Sequence, residues 1–113
     1  MKCENLDVWK RGCQLSVLVY KYFANCKDYS FKDQITRASL SIPSNIAEGL
    51  EKESDKEKAR YIEHAQGSAA ELHTQTLIGA QIGYIDQQTA EQWKDETTQL
   101  AKMLNTLKKH MKQ

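Results

Sequence analysis

Proline is almost missing from this chain. Pro43 stands alone, with five glycines, in 113 residues. So few chain breakers leave little room for the many turns of an all-β fold. Cysteine is scarce as well. Cys3, Cys13 and Cys26 are an odd number, with no CxxC pair. Cys13 and Cys26 fall on or near one helix, roughly 20 Å apart at ~1.5 Å per residue, too far to bridge. A reduced, cytoplasmic protein is the simplest expectation. No run of about eighteen apolar residues occurs, so no segment is expected to cross a membrane. No basic start leads into an apolar run, so no secretory leader is expected. Neither sign of charge dominates. Sixteen Lys and Arg against fifteen Asp and Glu leave a formal charge of +1, far from the basic balance of a typical nucleic-acid module.

Catalytic patterns are missing too. There is no Gly-x-Ser-x-Gly elbow for a serine nucleophile. No Gly-x-Gly or Gly-Lys-Ser/Thr loop stands ready for phosphates. A di-iron site in a helical bundle needs Glu-x-x-His pairs, and no Glu here has a His three residues later. His64 and His73 lie nine apart on one predicted helix, so they point about 180° apart at ~100° per residue. Glu48 and Glu71 are acids with no evident nucleophile or oxyanion donor beside them. The chain reads as non-enzymatic, with no cofactor and no metal.

What is present is helical periodicity over nearly the whole length. In the stretch Gln34 to Gly49, the residues Ile35, Ala38, Ile42, Ile46 and Gly49 share one face. Arg37, Ser41, Asn45 and Glu48 form a polar row on the neighbouring face. Helix two is predicted to start after Ser30, with Asp33 at the third position of a capping box, and to end near Leu50. Pro43 removes a backbone donor, presses on the Ser39 carbonyl and disfavours helix at Ile42. One kinked helix is expected, with Ser39, Ser41 and Ser44 offering hydroxyls to the freed backbone groups.

Helix one is predicted from about Leu6 to Ala24, with Asn5 as its N-cap. Its core face is Val8, Gly12, Leu15, Val19, Tyr22 and Phe23. Helix three opens on the capping box Ser54-Asp55-Lys56-Glu57 and runs to Ile82, with Gly83 as a left-handed C′ residue. Its core face is Ala59, Ile62, Ala65, Ala69, Leu72, Thr76 and Gly79. Asp86 caps helix four, and Ile85 and Ala90 occupy its staple positions. Ala90, Trp93, Thr97, Leu100, Leu104, Leu107 and Met111 then alternate at three and four, a coiled-coil seam. Long helices joined by short connections predict an all-α, up-down-up-down antiparallel four-helix bundle, kinked at Pro43 in its second helix, as a single domain over 1–113.

The run Gln34-Ile35-Thr36-Arg37-Ala38-Ser39-Leu40-Ser41-Ile42-Pro43-Ser44-Asn45-Ile46-Ala47-Glu48-Gly49 also carries a resemblance. It resembles the signature of the bacterial four-helix-bundle family named after proteins encoded in intervening sequences of 23S ribosomal RNA genes. Gly67 to Leu77, followed by Gly83-Tyr84-Ile85, is a second match, and Leu6-Asp7-Val8-Trp9-Lys10 a weaker third. The resemblance implies the same fold and a ring-shaped homo-oligomer, a pentamer. It says little about activity. A related ring, the accessory protein of diversity-generating retroelements, works with reverse transcriptase and RNA and has a distinctly basic surface, which this near-neutral chain lacks.

Three sets of residues are candidates for function. Trp9, Cys13, Val17 and Tyr20 form a second apolar arc on helix one, more than one bundle core can cover, and are expected at an oligomer interface. The alternative is that this arc packs under the loop Asn25 to Ser30. Arg37, with Glu71 or Glu48 as carboxylate partner and Asn45 beside it, is expected in a structural polar network that fixes helix register or the subunit interface. A solvated polar edge is the plainer reading. Lys102, Lys108, Lys109 and Lys112, with His110, form a basic tail after the last acid, Glu96. On the rim of a ring such lysines would attract phosphate, although lysines also suit any helix C-terminus. The expected role is an RNA- or ribonucleoprotein-associated accessory factor. The alternative is a protein-interaction scaffold that binds no nucleic acid.

Overall fold

Four amphipathic stripes decide the architecture. The structure, a computed structural model, describes residues 1–111. After a short 3-10 turn at Lys2–Asn5 come α1 (Asp7–Tyr22), α2 (Tyr29–Leu50), α3 (Asp55–Gln81) and α4 (Gln87–Met111). Each helix packs on the next and α4 returns to α1. Among the described residues neither diagonal pair makes a close backbone approach, so the chain runs up-down-up-down around a square. The bundle measures 44 × 21 × 21 Å. No helix of it is long and apolar enough to cross a membrane, among the described residues.

The core is the one the periodicity predicts. Ile35, Ala38, Ile42 and Ile46 of α2, Ile62, Ala65, Ala69 and Leu72 of α3, and Trp93, Leu100 and Leu104 of α4 are all buried in one cluster with Val8, Leu15 and Val19 of α1. α2 continues as one helix through Pro43. Gly12 of α1 faces that ring: a Cβ added there would lie 3.4 Å from Ile42 and 3.5 Å from Pro43.

Four local expectations need correction. Asn5 does not cap α1. It ends the 3-10 turn, and extended Leu6 takes the N-cap place without a side-chain bond, because Leu6 packs against the core. The cap of α2 is Asp28, whose carboxylate accepts from the Phe31 N–H at 3.1 Å, so Ser30 lies inside the first turn. Tyr22 is not buried. Its ring crosses Trp93 edge-on at 5.2 Å and its hydroxyl reaches Asp86. Ser39 does not serve the backbone freed by Pro43. Its hydroxyl donates to the Thr36 carbonyl at 2.8 Å and lies 3.1 Å from the Ser16 hydroxyl across the α1–α2 contact.

Three cap signals hold, the Ser54 box by its serine half alone. The Ser54 hydroxyl accepts from the Glu57 N–H at 3.1 Å. Gly83 has φ +82°, and the Tyr84 N–H bonds back to the Gly79 carbonyl at 2.8 Å while the Gly83 N–H reaches Ala80, a Schellman closure. Asp86 accepts from the Thr89 N–H at 2.8 Å.

Candidate functional site

The outer face of the α1–α2 pair carries an apolar arc. Ser16 and Ser39 meet where the helices touch. Val17 and Leu40 each follow one of these serines. In an antiparallel pair that ~100° step turns both outward on the same side. Val17 is 51 % exposed, Leu40 48 % and Tyr20 44 %. Trp9 and Cys13 are half-buried further along the same side of α1. Between them Thr36 and Pro43 are buried and uncharged. The loop Asn25 to Ser30 therefore does not cover this arc. Leu40 went unnoticed in the sequence because it stands one residue outside its helix's core row. Burial, and then the neighbouring Cys3, pushes the Cys13 thiol above its ordinary pKa, so this sulfur is a packing atom rather than a thiolate.

The polar row lies on the other flank of α2. Arg37 and Glu71 line one groove between α2 and α3 together with Ser30, Asp33 and Gln34. They do not pair. Among the described residues Arg37, Glu48 and Glu71 have no ion pair within 4.0 Å. Asn45 donates its amide to the Ser41 carbonyl of its own helix at 2.8 Å. Within one chain the four residues thus form no network. The spacing of α2 from α3 is set by Gly49, whose missing side chain makes room for Tyr61. The charged ends stay on the water side.

The basic tail is only partly free. Lys108 lies 3.6 Å from the Glu63 carboxylate of α3. Lys102 and Lys109 are exposed. Lys112 lies outside the described residues. Another basic cluster was not foreseen: Lys52 and Arg60 stand over the Tyr61 ring at 5.0 and 5.7 Å, and His64 meets its edge. Glu57, 3.4 Å from Arg60, offsets part of that charge.

His73 ties α3 to α4. Its Nδ1 is 2.7 Å from the Thr97 hydroxyl. That hydroxyl donates to the Lys94 carbonyl at 3.0 Å, so the ring N–H is the donor to Thr97. Among the described residues no three His, Cys, Asp or Glu side chains gather as a metal site would require.

Two polar devices had no sequence signal beyond a charge beside an apolar row. Arg11 of α1 grips Glu96 of α4 with two bonds, at 2.9 and 2.7 Å, and its third nitrogen lies 3.7 Å from the Met103 sulfur. Hydrogen bonding to Glu96 holds the guanidinium above its ordinary pKa. At one end of the bundle the tyrosines cross over. Tyr22 donates to Asp86 at 3.1 Å and accepts the Asp86 N–H at 2.9 Å, while Tyr84 donates to Asp28 at 2.8 Å.

Comparison with known proteins agrees with this architecture. A solved structure from Bacteroides thetaiotaomicron, a protein of unknown function from the S23 ribosomal protein family, superposes with a TM-score of 0.84. It is 24 % identical, and the match covers 90 % of this chain and 98 % of that one. At that identity the likeness establishes the fold. No curated protein matches the chain. Residues 4–106 match the family described as 23S rRNA-intervening sequence protein. With nearly the whole bundle inside that match, the chain belongs to the 23S rRNA-intervening sequence protein family.

Proposed function

We propose that this protein is a non-enzymatic, self-assembling bundle that packs on sister copies through the outer face of α1 and α2. One observation carries this reading: Val17, Tyr20 and Leu40 stand about half exposed on one side of the α1–α2 pair, flanked by the half-buried Trp9 and Cys13. An apolar patch of this kind favours association over permanent hydration. A homo-oligomer, pentameric as the family resemblance implies, is the expected particle. Arg37, Glu48 and Glu71, without an ion pair among the described residues, and Asn45, bonded only within its own helix, are available to its subunit contacts. A cytoplasmic setting suits the three free cysteines.

The test is the mass of the particle in solution by light scattering. The native chain should run as one defined oligomer at micromolar concentration. A chain carrying Val17→Glu and Leu40→Glu should run as a monomer with unchanged helix content. A native monomer overturns the reading.

The assembled particle would serve RNA or a ribonucleoprotein. The family's tie to ribosomal RNA genes supports this, as do the exposed Lys102 and Lys109 near the end of α4. The competing reading, a protein scaffold without nucleic acid, is favoured by the commitment of Lys108 to Glu63. Filter binding to structured RNA at two salt concentrations separates them. Affinity that falls steeply with salt supports phosphate contact. No affinity at low salt leaves the scaffold.

A further inference from the structure

The four seams of the bundle are unequal. α3 lies close to both neighbours, whereas α1 and α4 make the fewest close backbone approaches of the four touching helix pairs. Long side chains hold them apart. Leu15 and Leu18 of α1 and Trp93 of α4 line one open stretch of this seam. Val8, Met103 and Leu107 line a second. Arg11 and Glu96 line the first stretch, and Arg11 reaches across it to Glu96 and toward the Met103 sulfur of the second. Among the described residues it makes the one ion pair between these helices. Both partners are about a third exposed, so water and salt compete for them. α1 is also the shortest helix, with 16 residues against 22 to 27 in the others.

We infer that the α1–α4 seam is a latched groove: Tyr22, on Asp86 and Trp93, pins the last turn of α1, the Arg11–Glu96 pair holds the earlier turns, and its release lets those turns part from α4 and bare Val8 and Leu15 while α2 and α3 stay packed. Local opening follows the seam held by the fewest close backbone approaches. A 16-residue helix is marginal in water by itself, so its release registers as amide exchange. The groove lies on the flank of α1 away from the outer α1–α2 face, and opening does not depend on whether copies associate there.

Hydrogen exchange on the full chain, read helix by helix, tests this. Glu96→Ala and Arg11→Met release the pair from opposite sides, and Asp95→Asn alters a neighbouring charge. With either release variant, α1 and the adjoining turns of α4 should exchange about two- to fivefold faster, with α2 and α3 unchanged. High salt should move the native chain the same way, and Asp95→Asn should match the native chain. Equal acceleration in all four helices, or none in α1, overturns the latch.

Discussion

Two seams of this bundle are built on opposite plans. Between α2 and α3 the backbones approach because a side chain is missing. A Cβ on Gly49 would stand 2.8 Å from the Tyr61 Cβ and 3.3 Å from the Lys58 carbonyl oxygen. Between α1 and α4 the backbones stand off, and Trp93, Met103 and the Arg11–Glu96 pair fill the space. A seam made by subtraction cannot accept added volume, because close-packed atoms have nowhere to go. A seam made by long side chains tolerates substitution but answers to solvent conditions.

The largest effect should come from filling the tight seam. Gly49→Val should cost about 3 kcal/mol in urea denaturation, clash outweighing any gain in helix propensity. A cost below about 1 kcal/mol would mean that the two helices separate easily and that the contrast is false. Next is Thr97→Val at the α3–α4 contact. Thr97 is 2 % exposed, so the His73 N–H loses its acceptor at about 1–2 kcal/mol. The wide seam should respond less: Glu96→Ala should cost at most about 1 kcal/mol at low salt and less at ~1 M salt. The Gly49→Val cost should be nearly salt-independent, which sharpens the distinction.

The smallest effect belongs to the end where both seams finish. The Phe31 N–H and then the Tyr84 hydroxyl hold the Asp28 carboxyl below its usual pKa. The Thr89 N–H and hydroxyl do the same for Asp86. With the folded value below the unfolded one, this stabilisation is complete above the usual carboxylate range of about 4 and is lost as pH falls through the folded value. Asp28→Asn keeps a capping side chain, so melting temperature at neutral pH should barely change. Its fall between about pH 4 and 2 should be shallower than in the native chain.

Wherever one helix decides its own placement, the sequence was legible. The core rows of α2 and α3, the Ser54 and Asp86 caps and the Gly83 turn follow from local spacing and are buried or bonded as that spacing implies. The exposed arc through Val17 and Tyr20 was legible for the same reason: α1 has more apolar girth than one core can use. What failed depends on distant partners. Asp28 and Ser30 are both good caps two residues apart, and the choice between them involves Tyr84, 56 residues away. The Arg11–Glu96 bond joins residues 85 apart, and neither belongs to a motif. Arg37 and Glu71 were paired on chemistry alone, whereas the groove they share leaves them unpaired. A helical wheel gives direction but not reach.

The crossed tyrosines make each helical hairpin incomplete by itself. The first turn of α2 draws its outer brace from the α3–α4 connection, and the first turn of α4 draws its own from the end of α1. Slow exchange at the Phe31 and Thr89 amides would therefore signal that the two halves have docked, beyond the mere presence of helix. The molecule carries a built-in reporter of its own assembly order at the end farthest from its basic tail.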